Sequence, residues 1–273
     1  MTAADADKVD HFLALHRQSS PLLIPNPWDA GSAKLLESLG FEALATTSSG
    51  FAATLGRLDG SVSRDEAIDS SAAIAAATTV PVSADLENGY ADDPDGVAET
   101  VALAIDAGLA GCSIEDFSRG LDQLYGLGPA TERVAAAAEA AHRGPGRLVL
   151  TARAENYLHG LPDLDESIRR LQAYQEAGAD VLYAPGITAL DDLRTLVASV
   201  DRPVNVLALP GAPTIAELAE IGVGRVSVGG AFAYVALGAM IEAANELREK
   251  GTYGYWHYAG EGSKAVRAAF KSS

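Results

Sequence analysis

Acidic residues stand at the ends of two neighbouring apolar segments of this sequence. Asp85 and Glu87 close one segment, and Glu115 ends the next. Because residues i and i+2 of an extended chain point to the same side, Asp85 and Glu87 can face one volume. Carboxylates that meet in this way repel one another unless a cation or an arginine lies among them.

The all-oxygen character of this cluster indicates which cation would suit it. Carboxylates favour Mg²⁺, with Mn²⁺ as a second choice, and the sequence has no His/Cys cluster of the kind that binds zinc. We therefore predict a metal site formed by Asp85, Glu87 and Glu115. The alternative is that one or two of these acids pair with arginine or cap a neighbouring loop.

An arginine, Arg153, ends another apolar segment. Its forked guanidinium could bind a substrate carboxylate at that position. It could instead form a salt bridge to Glu87 or Glu115, and the two roles are compatible.

Small and polar residues follow three more apolar segments. Ser48, Ser49 and Gly50 offer hydroxyl and backbone N–H groups that could hold an anion. Asn205 stands between two valines, where it either binds substrate or is a satisfied buried amide. The glycine pair at 229–230 could hold phosphate, or it could only allow tight packing between a strand and a helix.

These residues are positioned by a repeating pattern of short apolar segments and Ala-rich amphipathic segments. The pattern predicts eight strands, at Leu22–Pro25, Ala43–Thr46, Val82–Asp85, Gly111–Glu115, Leu148–Arg153, Val181–Ala184, Val204–Leu207 and Arg225–Val228. It predicts a helix after each strand, at Ala30–Leu39, Arg64–Thr78, Pro94–Ala107, Ala130–Ala141, Leu164–Ala177, Ala189–Ser199, Thr214–Ile221 and Ala231–Lys250. A further helix, Ala6–Arg17, is expected before the first strand.

Eight β/α units in roughly 250 residues favour a closed (β/α)₈ TIM barrel over an open doubly wound sheet. The absence of G-x-G-x-x-G after the first strand also argues against a dinucleotide-binding sheet. We predict a single α/β barrel domain over residues 1–273, with about 251–273 as an extension or tail helix. The long segment between Glu115 and Ala130 is interpreted as a lid or, alternatively, an ordinary surface loop.

Composition narrows the possible partners. The formal net charge of −17 argues against nucleic acid and against an anionic membrane surface, but not against a small anionic substrate. The single cysteine, Cys112, allows no internal disulfide and is expected to be a buried small residue. The acidic, polar N-terminus lacks the basic and apolar regions of a signal peptide, and we expect a cytoplasmic protein.

Five motifs in this order carry a family resemblance. They are Asn-Pro-Trp-Asp-Ala-Gly-Ser-Ala, Thr-Thr-Ser-Ser-Gly, Asp-Leu-Glu-Asn-Gly-Tyr, Ser-Ile-Glu-Asp and Ala-Arg-Ala-Glu-Asn. Together they resemble the isocitrate lyase/phosphoenolpyruvate mutase superfamily over roughly residues 8–250. The resemblance implies a (β/α)₈ barrel whose eighth helix is often exchanged between subunits of a homodimer or homotetramer. It also implies Mg²⁺ and a small anionic 2-oxo or 2-hydroxy acid as substrate.

The resemblance also implies individual roles. Asp85 would bind the metal most directly, while Asp59, Glu87 and Glu115 would act mainly through waters. Arg153 would bind the carboxylate or oxo group of the substrate. Catalytic roles are thus expected for Asp59, Arg153 and Glu115, and backbone N–H groups of Ser49 and Gly50 would hold the carboxylate.

The segment after Glu115 departs from well-known branches of the superfamily. Isocitrate and methylisocitrate lyases carry a catalytic cysteine in a Lys-Lys/Arg-Cys-Gly-His motif, and phosphonate-cleaving members carry a Lys-x-Asn-Ser type loop. Here the loop reads Phe117-Ser118-Arg119-Gly120, with no cysteine, histidine or gating asparagine.

Three functional hypotheses follow. The leading one is a Mg²⁺-dependent lyase that cleaves a C–C bond beside a 2-oxo or 2-hydroxy carboxylate through an enolate-like intermediate, as in oxaloacetate-type decarboxylation or hydrolysis. The second is a phosphonomutase or phosphonopyruvate hydrolase acting on a P–C bond. The third is a non-catalytic metabolite-binding protein that keeps the metal and carboxylate site.

Overall fold

Eight parallel strands form a nearly closed barrel in the computed structural model, which describes residues 3–143 and 147–272. The barrel strands are β1 Leu22–Ile24, β2 Leu44–Ala45, β3 Val82–Asp85, β4 Gly111–Glu115, β7 Val149–Arg153, β8 Val181–Tyr183, β9 Val204–Leu207 and β10 Arg225–Ser227. Their spatial order is β1-β10-β9-β8-β7-β4-β3-β2. The ring closes between its end strands through the Ala45 N–H, which donates to Pro25 O at 3.1 Å. The predicted barrel is confirmed.

Most helices follow a barrel strand, as the sequence pattern predicted, and α1 precedes the first strand. They are α1 Ala3–Leu15, α2 Ala30–Ser38, α3 Ser48–Thr54, α4 Arg64–Ala77, α5 Pro94–Asp106, α6 Leu127–His142, α7 Leu164–Glu176, α8 Leu190–Ala198, α9 Ile215–Glu220, α10 Ala231–Asn245 and α11 Trp256–Ala269. A π-helical turn, Glu246–Lys250, follows α10, and a 3₁₀ turn, Phe270–Ser272, follows α11. Capping boxes at Asp29, Ser63 and Thr214 satisfy free N–H groups at three of the helix starts.

Several bounds differ from the sequence prediction for local reasons. Helix α6 begins at Leu127 rather than Ala130, because a proline such as Pro129 is tolerated in the first turn, where no N–H is needed. The short helix α3 was not predicted, and it begins where Thr47 Oγ1 accepts from the Gly50 N–H. The segment after Glu115 is not one open loop, since β5 Phe117–Ser118 and β6 Gln123–Leu124 form an antiparallel hairpin within it.

Two apolar cores position the site. The larger lies between the outer face of the barrel and its helices, with Leu44, Leu150 and Leu182 all 0% exposed. Burying a side chain of this size stabilises the fold by roughly 1.5–3 kcal/mol. The smaller core fills the N-terminal end of the barrel, where α1 inserts the fully buried Phe12. Gly111 permits this approach, because a Cβ there would stand 2.7 Å from the Phe12 ring.

The C-terminal helices expose much of their apolar surface. In α10 only Ala233 is buried, whereas Val235 is 68% and Met240 60% exposed. On the outer face of β1, Leu23 is 40% exposed. No helix in the described ranges is both long enough and apolar enough to cross a membrane.

Candidate active site at the mouth of the barrel

A cavity of about 180 Å³ opens where the barrel strands end. Most of the predicted site residues line it, namely Ser48, Ser49, Asp59, Asp85, Arg153 and Asn205. The other predicted residues, Gly50, Glu87 and Glu115, are buried beside it and are not part of its lining. The cavity mouth lies at the carboxyl ends of parallel strands, where barrel enzymes place their chemistry.

Asp85, the last residue of β3, is held at the cavity wall by Arg153 of β7 and by the segment that follows β2. Its Oδ1 accepts from Arg153 Nη1 at 2.9 Å, and its Oδ2 accepts from the Ser48 N–H at 3.1 Å. The Asp85 N–H in turn donates to Thr46 Oγ1 at 2.9 Å. These contacts leave the carboxylate partly accessible, at 18% exposure of its side chain.

Arg153 links three carboxylates at the end of β7. Besides Asp85, its Nη2 lies 3.0 Å from Glu115 Oε2 and its Nε 2.8 Å from Glu155 Oε1. Register explains the closeness, since Glu115 of β4 pairs directly with Arg153 of β7. Burial raises the pKa of the Glu115 and Glu155 carboxyls, although Arg153 opposes the shift in both. Arg153 therefore pairs with acids as predicted, although Glu87 is not among them.

A second arginine reaches the same acids from the β5–β6 hairpin. Arg119 Nε lies 2.8 Å from Glu87 Oε2, and its Nη2 lies 3.0 Å from Asp59 Oδ2 and 3.9 Å from Glu115 Oε1. The hairpin therefore covers this side of the acid cluster. A buried Asp116 fixes the start of the hairpin, since Asp116 Oδ2 accepts from Arg170 Nη1 at 2.8 Å.

Glu87 has a strained backbone, and only one of its two carboxylate oxygens has a partner. Its backbone adopts φ 47°, in the left-handed region that non-glycine residues seldom occupy. Burial, with Asp85 and Asp59 nearby, raises the pKa of its carboxyl to about 7 against the opposing effect of Arg119. Its Oε1 is buried and has no hydrogen-bond partner. An orphaned carboxylate oxygen at this depth calls for a further donor or cation.

Charge balance makes the same argument for the cluster as a whole. Five carboxylates, from Asp59, Asp85, Glu87, Glu115 and Glu155, face the two guanidinium groups of Arg119 and Arg153. A divalent cation with oxygen ligands fits this excess of negative charge. Across the part of the chain that the structure describes, however, no three His, Cys, Asp or Glu side chains form a ready-made metal cage. The donor set thus suits a hard cation held by few direct carboxylate ligands and by water.

Comparison with known proteins identifies the family of this chain. The family model of phosphoenolpyruvate phosphomutase matches residues 12–248, which is most of the chain. The protein belongs to the phosphoenolpyruvate phosphomutase family.

Relatives within this family and its superfamily differ in their reactions. A Burkholderia cenocepacia J2315 protein, described in general terms as a lyase/mutase, is 49% identical, with a TM-score of 0.93 over 97% of this chain and 96% of that one. An oxaloacetate decarboxylase of Bradyrhizobium sp. (strain BTAi1 / ATCC BAA-1182) is 33% identical over 74% of this chain and 70% of its own. Oxaloacetate acetylhydrolase, solved with its product oxalate, is 28% identical, with a TM-score of 0.81 over 92% and 89%. This member of the phosphoenolpyruvate phosphomutase family is accordingly an enzyme of the lyase type.

Some of the backbone N–H groups that were predicted to hold anions already donate hydrogen bonds within the protein. The Gly50 N–H donates to Thr47 Oγ1 at 3.3 Å, so it already has a partner. Around the glycine pair 229–230, the N–H groups of Val228 and Gly229 both donate to Asn26 Oδ1 at 2.9 Å. The glycine-rich turn therefore has fewer free donors for a phosphate than the sequence indicated.

Other predicted residues have definite partners. Asn205 is a satisfied amide that also lines the cavity, since its Nδ2 donates to Ser227 Oγ at 2.9 Å. Cys112 is fully buried in β4, as expected.

Sequence reasoning missed three members of the site. Glu155 stands two residues after Arg153, so the same i, i+2 rule that linked Asp85 and Glu87 could have found it. Arg119 gave no such signal, because its position depends on the path of the hairpin. Arg225 lies at the first residue of β10 and also lines the cavity.

Proposed function

We propose that this protein is a Mg²⁺-dependent lyase that cleaves a carbon–carbon bond next to a 2-oxo or 2-hydroxy carboxylate. The observation that carries the proposal is the excess of carboxylates over arginines in this cluster, which borders the small cavity through Asp59 and Asp85. The reactions named for oxaloacetate decarboxylase and oxaloacetate acetylhydrolase support a substrate of this type.

The residues suggest a division of labour around the cation. Asp85 would hold Mg²⁺ directly, because its carboxylate lines the cavity at the end of β3 beside Arg153, and Asp59, Glu87 and Glu115 would act through waters. The bound ion would supply a Lewis acid that stabilises negative charge developing on a substrate oxygen. Glu87 Oε1, which has no other partner, would accept a hydrogen bond from one of those waters.

Arg153 would orient the substrate. Its guanidinium lies at the cavity wall and is held rigidly by three carboxylates and by the Tyr183 ring, whose centroid is 5.5 Å from Arg153 Cζ. A cation fixed in this way can bind a carboxylate without losing much conformational freedom. The hydroxyls of Ser48 and Ser49 line the same cavity and would hold the other side of that carboxylate.

Hairpin closure would exclude water during bond cleavage. Phe117 stacks on His159 with ring centroids 3.4 Å apart, and Ser118 Oγ donates to Asp92 at 2.9 Å, so the hairpin is fixed at several points. An enolate-like product formed beneath a closed lid is protected from premature protonation. We propose that Arg119 is the side chain that couples closure to the acid cluster.

Binding of oxalate tests this proposal, since oxalate resembles the enolate of pyruvate. With Mg²⁺ and oxalate at about 100 times the Kd, mass action should stabilise the fold by about 2.7 kcal/mol, a melting-temperature rise of roughly 5–10 °C. Asp85→Ala should abolish the rise, whereas Asp69→Ala, a change at an exposed aspartate of α4, should not. The absence of any Mg²⁺-dependent rise in the wild type would refute the proposed site.

A panel of 2-oxo acids then distinguishes the reactions. Release of pyruvate and CO₂ from oxaloacetate, or of oxalate and acetate, would support carbon–carbon cleavage. Release of phosphate from phosphonopyruvate, with no turnover of oxaloacetate, would instead support the P–C alternative.

We also propose that the enzyme is a homo-oligomer in which α10 is exchanged between subunits. The exposed apolar residues of α10 and the uncovered Leu23 on β1 support this, because a single subunit leaves both surfaces in water. Exchange would let the α10 of one subunit cover the β1 face of its partner.

A further inference from the structure

A buried arginine lies deeper in the barrel than the acid cluster. Arg225 is 4% exposed, stands at the start of β10 and lines the cavity. Its register partner on β9 is Asn205, so both side chains point into the barrel interior. Tyr183 pairs in turn with Asn205 and also lines the cavity.

The described partners of Arg225 are neutral. Its Nε donates to Asn205 Oδ1 at 2.8 Å, and its Nη1 lies 3.4 Å from His16 Nε2. Burial lowers the pKa of His16 to about 3, and the charge of the nearby Arg225 contributes to the same shift. This histidine therefore carries no charge at neutral pH. Among the ion pairs of the described residues, none includes Arg225.

Burying a cation without a carboxylate partner costs free energy of folding. Such a cation is therefore a candidate for binding an anionic ligand. Arg153 and Arg170 are also largely buried, but each contacts at least one carboxylate. Arg133, the other buried arginine without an ion pair among the described residues, instead donates to two backbone carbonyl oxygens. Burial lowers the pKa of Arg225 to about 10, which still leaves it charged at neutral pH. The two contacts to Asn205 and His16 engage two of the five N–H groups of a guanidinium, so donors remain.

The cavity above Arg225 is built to hold something polar. Ser83, Ser113 and Ser227 line it with hydroxyl groups. Thr151, which is fully buried, pairs in register with Ser113 and so shares its inward face, and Thr151 Oγ1 has no hydrogen-bond partner. The volume of about 180 Å³ equals that of about six water molecules in the liquid, enough for a small organic acid.

We propose that Arg225 binds a second carboxylate of the substrate at the inner end of the cavity. This inference rests on the proposed function, in which Arg153 and the cation bind the first carboxylate at the mouth. It narrows the substrate to a small 2-oxo or 2-hydroxy acid with a carboxylate at each end. The planar fork of arginine matches a carboxylate in a two-point contact, which makes Arg225 a determinant of specificity.

Two probes separate the inner and outer parts of the cavity. Oxalate, whose two carboxylates are joined directly, would occupy only the mouth. The compound 3,3-difluorooxaloacetate, an inhibitor of oxaloacetate acetylhydrolase, carries a second carboxylate farther from the first. Calorimetric titration with each probe in the presence of Mg²⁺ would give the Kd values of the wild type and the variants.

We expect Arg225→Met to weaken the binding of 3,3-difluorooxaloacetate by about 10- to 100-fold, as for loss of a charged hydrogen-bonded contact, and to leave oxalate binding nearly unchanged. Arg194→Met, the same change at an exposed arginine of α8, should affect neither probe. Arg225→Lys keeps the buried charge but loses the fork, so it should weaken the binding of the longer probe alone by a smaller factor. If Arg225→Met fails to fold, Arg225→Lys serves as the test in its place.

The outcomes separate this inference from the proposed function. If the Arg225 variants bind 3,3-difluorooxaloacetate as tightly as the wild type, or lose both probes equally, the inner-carboxylate assignment is overturned. A second outcome is that the wild type binds 3,3-difluorooxaloacetate but not oxalate, and that Arg225→Met no longer binds 3,3-difluorooxaloacetate. In that case the proposed metal site fails while the Arg225 assignment stands. A wild type that binds neither probe overturns both.

Discussion

His16 should make the stability of this enzyme depend on pH. The residue follows α1 and is 4% exposed at the N-terminal end of the barrel. Its Nδ1 lies 2.7 Å from Phe12 O, and its ring packs edge-on against Phe12 with centroids 4.7 Å apart. Burial, and after it the charge of Arg225, lowers the pKa of His16 to about 3.

The direction and size of the effect follow from this shift. An unfolded chain binds a proton at His16 below about pH 6.5, whereas the folded chain resists protonation down to about pH 3. The stability contributed by the neutral His16 is therefore present above pH 6.5 and is lost as the pH falls through this window. Between pH 7.5 and pH 5.0 the loss amounts to about 2 kcal/mol.

Urea unfolding of the wild type and His16→Gln at the two pH values measures this loss. Protein concentration must be held fixed, because subunit association contributes to stability. The difference in unfolding free energy between pH 7.5 and pH 5.0 should be about 2 kcal/mol smaller in His16→Gln than in the wild type. His11→Gln, a change at an exposed histidine of α1, is the matched control and should keep the wild-type difference. Equal pH dependence in the wild type and His16→Gln would refute the assignment of His16 as a buried neutral base.

Four shorter predictions test the lid, the core and the assembly. Arg119→Met should lower kcat at least about tenfold in steady-state assays, because the hairpin loses its link to the acids. Gly60→Ala should reproduce part of that loss of kcat, since φ is +79° there and a Cβ would stand 2.5 Å from Arg119 Cδ. Gly56→Ala is its control, because φ is +67° there and the space around it is open. Both variants should lower the free energy of unfolding by roughly 1 kcal/mol, but Gly56→Ala should leave kcat unchanged. Cys112, fully buried with its thiol pKa raised by burial, should react with a thiol reagent only as fast as the chain unfolds, and rapid labelling of the native protein would contradict the fold. Met240→Glu should reduce the mass measured by light scattering to that of a monomer, and an unchanged mass would argue against an α10 interface.

Much of the barrel could be predicted from the sequence because its signals are local. Apolar segments such as 149–153, alternating with Ala-rich helices, identified the eight strands, and polar residues at or after the ends of several strands identified the candidate site. The i, i+2 relation placed Glu87 near Asp85, but Glu87 lies in a left-handed turn after β3 and does not line the cavity. Helix bounds were less accurate where a proline or a side-chain cap, as at Pro129 or Thr47, set the first turn.

The partners of the site residues were decided only by the tertiary structure. Strand register placed Arg153 beside Glu115, and the path of the β5–β6 hairpin brought Arg119 onto Glu87. Closure of the barrel brought Arg225 to a cavity shared with residues from the first half of the chain. These contacts join positions far apart in the sequence, so no local periodicity encodes them. Residue types at strand ends thus indicated which chemistry was available, while register, closure and loop path determined which charges are paired and which remain free to bind a ligand.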